Sequence, residues 1–245
     1  MKALIIIPAR MSSTRLPKKV LADIEGKPMI VRTFEQAVAS GVGDVIVACD
    51  DVQIKEQIEL AGGKAILTPS ELPSGTDRVY SAWTQFDPEE KYEYIINVQG
   101  DLPFIDVEFI READRIVREQ NYDISTLATL IVGDSYKLES TVKPVISFKT
   151  ETSGQALYFS RAQVPFGGPY YHHVGIYCFK AKSLKKFVSL PQSPLEKKEK
   201  LEQLRALENN MTIGISVIDK PCPISVDTEY DLEKAREFAR KNFAD

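Results

Sequence analysis

The chain is poor in the residues that staple or metallate small proteins. Its three cysteines, Cys49, Cys178 and Cys222, are far apart, odd in number and form no CxxC pair. That disfavours a disulfide framework or a zinc site and fits a reducing cytoplasm. Histidine occurs only twice, at the adjacent His172 and His173, too few for a His-rich metal site. No apolar run approaches the roughly 18 residues of a membrane span. The opening apolar stretch is cut short by Pro8 and Arg10 and reads as a buried strand, not a signal peptide. Positive charge is not in excess: 31 Lys and Arg face 35 Asp and Glu, a net charge of −4. This argues against non-specific nucleic-acid binding but allows a small basic pocket for a polyphosphate. Neither GxGxxG nor GxxxxGK[ST] occurs, which disfavours NAD binding and P-loop ATPases. There is no internal repeat and no low-complexity linker.

What is present is an ordinary globular composition, 43% hydrophobic and 27% charged over 245 residues. A chain of this length buries roughly 70–75% of its unfolded surface without staples. The first half alternates strand and helix patterns. Strands are predicted at Leu4–Ile7, Val45–Ala48, Ala65–Leu67, Tyr94–Val98 and Ser125–Ile131. Helices are predicted from Pro28 to Gly41, over Gln53–Ala61 and over Val107–Glu119. Such alternation predicts an α/β fold, a mostly parallel central sheet with helices on both faces. The second half reads as strands at Val142–Lys149, Gln155–Phe159, Val174–Phe179 and Thr212–Ile218. A charged helix is predicted over Pro194–Asn209, and Thr228 with Asp231 is expected to cap a last helix, Glu229–Asn242. The expected organisation is one domain, 1–245, with a small β-rich insertion at 133–185.

Ligands of such sheets bind beyond the carboxyl ends of the strands. The segment Pro8–Lys19 follows the first strand and holds four cations, three hydroxyls and no acid. Its amides, hydroxyls and cations suit phosphate oxygens. In Asn97-Val98-Gln99-Gly100-Asp101, Gly100 lets the chain turn and Asp101 faces the crevice. Asp101 is either a magnesium ligand or a helix cap, and the nearby phosphate loop favours the metal. Asp227 is open to the same two readings; if Thr228 caps the helix, Asp227 is left to share the metal. Ser74-Gly75-Thr76-Asp77-Arg78 reads locally as a turn and N-cap. Arg161, His173, Tyr177, Glu202 and Gln203 each have an ordinary structural reading when taken singly.

Taken together, these pieces resemble the CMP-Kdo synthetase family, the 3-deoxy-D-manno-octulosonate (Kdo) cytidylyltransferases. The resemblance runs through Ile7-Pro8-Ala9-Arg10, Ser13-Thr14-Arg15-Leu16-Pro17, Lys19, Gly26-Lys27-Pro28-Met29-Ile30, Ser74–Arg78 and Asn97–Asp101. It continues through Ala156–Ala162, His173–Tyr177, Ser193–Glu196, Leu201–Arg205 and Val226–Thr228. It implies a nucleotide-diphospho-sugar transferase (Rossmann-like) fold, CTP and Kdo as substrates, Mg2+, and activation of Kdo for lipopolysaccharide biosynthesis. It also implies a cytoplasmic homodimer that contacts through the insertion and binds neither membrane nor nucleic acid.

By position, Arg10, Ser13, Arg15 and Lys19 would hold the triphosphate, and Pro8, Ala9, Ser74, Gly75 and Arg78 would frame the cytosine. Asp101 and Asp227 would bind magnesium; with Arg10 and Lys19 they would form the catalytic set. Gln99, Arg161, His173, Tyr177, Glu202 and Gln203 would hold the sugar acid. Leu102 departs from the acid that many members carry, and Pro144 from an apolar strand residue, which predicts a strand end or bulge there. The segment Pro165–His172 is short where a longer loop is expected in some members. Rival readings are a cytidylyltransferase for sialic acid or amino-substituted Kdo, a sugar-1-phosphate nucleotidylyltransferase, and a non-catalytic nucleotide-binding protein.

Overall fold

A computed structural model describes residues 2–13 and 15–243; Met1, Thr14 and residues 244–245 lie outside the described residues. The elements, in chain order, are β1 (Ala3–Ala9), β2 (Asp23–Ile24), β3 (Lys27–Pro28), α1 (Met29–Ala39), β4 (Asp44–Cys49) and α2 (Val52–Leu60). They continue with β5 (Lys64–Leu67), α3 (Gly75–Phe86), β6 (Tyr94–Asn97), α4 (Val107–Glu119), β7 (Ile124–Leu130), β8 (Lys143–Phe148) and β9 (Ser153–Ser160). The last are β10 (Tyr171–Lys180), α5 (Ala181–Ser189), α6 (Pro194–Glu199), α7 (Leu204–Glu208), β11 (Ile213–Ile218) and α8 (Glu229–Phe243). The fold is mixed α/β on a mostly parallel central sheet flanked by helices, as the alternating pattern predicts. The chain divides into two compact units. One comprises residues 1–92, 97–110 and 223–245; the other comprises 93–96 and 111–222.

In the first unit β1, β4 and β5 pair in parallel, with β4 central. Leu4, Ile5, Ile6 and Ile7 are wholly buried, as a continuous apolar run in a parallel strand requires. A two-residue turn joins β2 to β3. Glu25 and Gly26 both have positive φ, which is the type I′ geometry and the reason glycine serves at position 26. Arg32 of α1 donates to the Ile24 and Glu25 carbonyls and so pins this hairpin to the helix. Met29, Ile30, Thr33, Phe34 and Ala37 form the buried stripe of α1. Asp51 and Ser74 cap α2 and α3 by accepting from backbone N–H groups.

In the second unit β7 lies between β10, antiparallel, and β11, parallel; β9 then joins β11 and β8 joins β9, both antiparallel. Pro144 sits near the start of β8, at the sheet edge, and a register shift follows at Val145/Ile146. That is the bulge expected of a strand proline. Two features depart from the sequence reading. Helix α5, which the sequence reading did not name, follows β10 directly, without a side-chain cap, and buries Ser183, Leu184 and Phe187.

The helix expected over Pro194–Asn209 is two, α6 and α7, broken at Lys200, whose φ is 56°. A buried fork explains the break: Arg205 donates Nε to Glu196 Oε2 at 2.9 Å and Nη2 to Oε1 at 2.6 Å. On one continuous helix, positions 196 and 205 would point about 180° apart at 3.6 residues per turn. The turn between α6 and α7 folds them together. It also places Glu202 and Gln203 in that turn, not on the charged helix where the sequence reading put them.

Candidate active site

A cavity of about 320 Å3 opens in the first unit beyond the carboxyl end of β1. Its lining includes Pro8, Ala9, Arg10, Ser13, Arg15, Lys19, Ser74, Gly75, Arg78, Gln99, Asp101 and Asp227. All the residues expected to hold the nucleotide and the metal thus line one concavity. Thr14 of the same loop lies outside the described residues.

Local chemistry explains how the wall is built. The Met11 amide donates to Asp50 Oδ1 at 2.8 Å, tethering the cationic loop to the end of β4. Ser13 Oγ accepts from the Leu16 amide, and the Lys19 amide donates to the Leu16 carbonyl, closing the turn that presents Lys19. Ser74 is an N-cap, as its local sequence suggested, and lines the cavity as well. Arg78 is buried and braces the opposite wall. It donates to Thr68 Oγ1 at 2.6 Å and to the Pro69 and Ser70 carbonyls, with Asp50 3.5 Å away. Burial pushes its pKa down and Asp50 opposes that shift. Asp50 therefore ties the two walls together. Sequence reading missed it, although an acid at the carboxyl end of the second parallel strand was an available signal.

Gly100 is required for space, since a Cβ there would lie 2.9 Å from the Pro8 carbonyl oxygen and 3.1 Å from Ile30 Cδ1. Asp101 does not cap α4; Asp106 does, accepting from the Glu108 amide. Leu102 is buried. Thr228 and Asp231 bond reciprocally ahead of α8, leaving the Asp227 carboxylate to the cavity. Lys19 Nζ then donates to both aspartates, at 2.8 Å to Asp101 Oδ2 and 3.0 Å to Asp227 Oδ1. Arg15 joins Asp227 at 3.0 Å. Burial works against both charges, yet pairing wins: Lys19 is raised above its ordinary pKa and Asp227 is held below its own.

The donor set tests the implied magnesium. Among the described residues no group of three or more His, Cys, Asp or Glu could hold a metal. Asp101 and Asp227 nevertheless converge on one cation, the Lys19 ammonium. Two carboxylates at one cationic point fit magnesium, which completes its shell with phosphate oxygens and water.

The other expected sugar-binding residues, Gln99 apart, lie in the second unit. His173 and Tyr177 stand on β10 with ring centroids 5.6 Å apart. Burial, with His172 beside it, lowers the His173 pKa to about 3, so the ring is neutral. Burial and then the Glu202 carboxylate raise that of Tyr177. Gln203 Nε2 is buried without a hydrogen-bond partner among the described residues, an orphan donor of the kind a polar ligand satisfies. Arg161 donates Nε to the Glu199 carbonyl at 3.0 Å, Nη1 to that of Glu139 at 2.9 Å and Nη2 to that of Lys200 at 3.5 Å. It thereby caps α6, while its other N–H donors are not used in these bonds. Lys143, a wholly buried cation that sequence reading passed over, donates to the Leu138, Thr141 and Arg161 carbonyls.

A concave, cation-rich site beyond parallel strands defines a nucleotide-binding α/β protein, and comparison with known proteins gives its kind. The Cytidylyltransferase family model matches residues 4–213. A 3-deoxy-manno-octulosonate cytidylyltransferase of Paramagnetospirillum magneticum is 47% identical over 240 residues, 97% of each chain. One of Parvibaculum lavamentivorans is 50% identical over 235 residues, 95% of this chain and 91% of that protein. A solved structure of CMP:2-keto-3-deoxy-manno-octonic acid synthetase complexed with CTP superimposes with a TM-score of 0.90 at 36% identity. That match covers 99% of this chain and 100% of the other. The chain belongs to the cytidylyltransferase family, in its branch of 3-deoxy-manno-octulosonate cytidylyltransferases.

Proposed function

We propose that the chain transfers the CMP group of CTP to Kdo, giving CMP-Kdo and diphosphate and activating the sugar acid for lipopolysaccharide biosynthesis. The observation that carries this reading is the single cavity in which a cationic loop, the Ser74–Gly75 ledge and two converging aspartates meet. Pro8, Ala9, Ser74 and Gly75 frame the cytosine, with Arg78 bracing the wall behind. A side chain on Gly75 would lie 3.6 Å from Pro8 Cγ and 3.8 Å from Gln99 Oε1, filling space a flat base needs. Arg10, Ser13, Arg15 and Lys19 hold the triphosphate. Gln99, Arg161, His173, Tyr177, Glu202 and Gln203 hold the sugar acid.

The C2 hydroxyl of Kdo attacks the α-phosphorus and diphosphate leaves in line, so the protein's task is positioning and charge neutralisation. Arg10 and Lys19 offset the charge growing on the leaving diphosphate. Arg15 and Lys19, paired with the aspartates here, are the cations a triphosphate would draw to itself. Asp101 and Asp227 would hold magnesium, which supplies Lewis-acid neutralisation and lowers the pKa of the attacking hydroxyl. No side-chain nucleophile and no covalent intermediate are needed. The enzyme works in the cytoplasm as a homodimer formed through the 133–185 segment. Exposed Val132, Leu138 and Phe166, in and beside that segment, support this contact surface.

The test is diphosphate release with CTP, UTP or ATP against Kdo, amino-substituted Kdo or sialic acid. Release that needs both CTP and Kdo is expected. Release with CTP and another acid moves the sugar assignment, and no release with any pair overturns the reading.

A further inference from the structure

The pairing of β10 with β7 contains an irregularity that places one buried hydroxyl at the centre of the sugar-assigned strand. Val174 pairs with Leu127, but the next pair is Cys178 with Ser125. Gly175, Ile176 and Tyr177 therefore stand opposite Thr126 alone. Such a bulge leaves carbonyls without ladder partners and re-aims the side chains around it. Thr126, wholly buried, answers both effects. Its Oγ1 lies 2.7 Å from the Ile176 carbonyl oxygen, 3.2 Å from that of Val174 and 2.9 Å from His173 Nε2.

These three neighbours determine where the protons are. A hydroxyl has one proton to give and lone pairs to receive. Both carbonyls can only accept, and the short distance to Ile176 marks where the hydroxyl proton goes. The remaining contact holds only if His173 donates from Nε2. A neutral imidazole carries a single N–H, so Nδ1 is then bare. Burial keeps the ring neutral, in agreement with its lowered pKa. No other hydrogen bond to the His173 ring exists among the described residues.

We propose that Thr126 is a positioning residue: it spans the β10 bulge and locks His173 in the Nε2–H tautomer, leaving Nδ1 as an acceptor for a hydroxyl hydrogen of the sugar acid. The last clause rests on the assignment of His173 to the sugar. A neutral ring with bare Nδ1 cannot donate to the substrate carboxylate from that atom, so the contact recognises a hydroxyl. This is specificity without charge, from a residue that itself need not touch substrate.

The experiment uses the full-length protein with 15N-labelled histidine and a His172→Gln variant to assign the two rings. Two-bond 1H–15N spectra at neutral pH report which ring nitrogen carries the proton. In the parent chain a protonated Nε2 and bare Nδ1 are expected for His173. Thr126→Ser keeps that signature, whereas Thr126→Val removes the acceptor and shifts the ring to Nδ1–H or to a mixture. Loss of one such hydrogen bond corresponds to a rise of about tenfold in the KM for Kdo in Thr126→Val, with the KM for CTP unchanged and Thr126→Ser near the parent. Nδ1–H in the parent, or Nε2–H persisting in Thr126→Val, overturns the tautomer lock. The parent spectrum decides even if the valine variant fails to fold. The expected tautomer shift with an unchanged KM for Kdo upholds the lock and instead removes His173 from the sugar site.

Discussion

Lys19 in the first unit and Lys143 in the second are both largely withdrawn from water, yet they are held in opposite ways. The Lys19 ammonium rests on two carboxylates with 14% of its side chain exposed, and its pKa is raised. The Lys143 ammonium sits wholly buried among three backbone carbonyls, and burial, then the nearby Arg161 charge, lowers its pKa. The first arrangement is a cluster of paired charges, which in the proposed reading a polyphosphate and a divalent cation would enter. The second is a cross-link joining the loop at 138–141 to the end of β9. The cavity assigned to the nucleotide is thus lined by compensated charge, while the region assigned to the sugar combines the Arg161 guanidinium, held by backbone carbonyls, and the Glu202 carboxylate with a neutral His173 ring.

The largest expected effect breaks the charge cluster. Asp101→Asn should lower turnover about 10^3-fold, the scale of losing one preorganised charge-stabilising group, with the fold intact. Diphosphate release alongside a melting curve measures both, and activity retained at ordinary magnesium would remove Asp101 from the metal assignment. Next is Lys143→Met, which strips three carbonyls of their donor and should destabilise the protein by about 3 kcal/mol. Urea unfolding reads this directly; a loss below about 1 kcal/mol would mean the cage is not structural.

Arg161→Ala should raise the KM for Kdo about tenfold, more than that for CTP, equivalent to about 1.4 kcal/mol. An equal KM for Kdo in the variant and the parent would leave Arg161 only its α6-capping role.

The last prediction separates the two regions by pH. His173 has a folded pKa of about 3 against 6.5 for the free side chain. Between those values the unfolded chain binds a proton that the folded chain refuses, so stability falls as pH drops from 6.5. The slope from this group is at most about 1.4 kcal/mol per pH unit. Against the cost of burial, pairing with Lys19 and Arg15 holds the Asp227 carboxyl below its ordinary 3.8, so its contribution is present above 3.8 and lost only as pH falls through the depressed value. His173→Gln should therefore flatten the stability profile between pH 6 and 4, and Asp227→Asn should not. His172, also lowered by burial, keeps part of the slope. Equal flattening by both variants would erase the distinction between the regions.

The comparison also explains what could be read in advance. The buried run Leu4–Ile7, the helix Val107–Glu119 and the Thr228–Asp231 cap depend on neighbours in sequence, so local pattern reveals them. The cations of residues 10–19 stand out for the same reason: they are clustered along the chain. Arg161, His173, Tyr177, Glu202 and Gln203 were ordinary residues until resemblance grouped them. Their partners, such as Glu199 for Arg161 and Thr126 for His173, lie tens of positions away.

By itself, then, the sequence determined the alternation of strands and helices, the charged loop and the family. Those rest on periodicity and on local charge. Tertiary structure decided that Lys19 bridges Asp101 and Asp227, that Asp50 joins two walls of the cavity, and that Glu196 and Arg205 break a helix to meet. It also decided that Thr126 fills a bulge beside His173. Each of these is a hydrogen bond or ion pair between groups that only chain folding brings within 4 Å, and each is held by the demand that buried polar groups find partners.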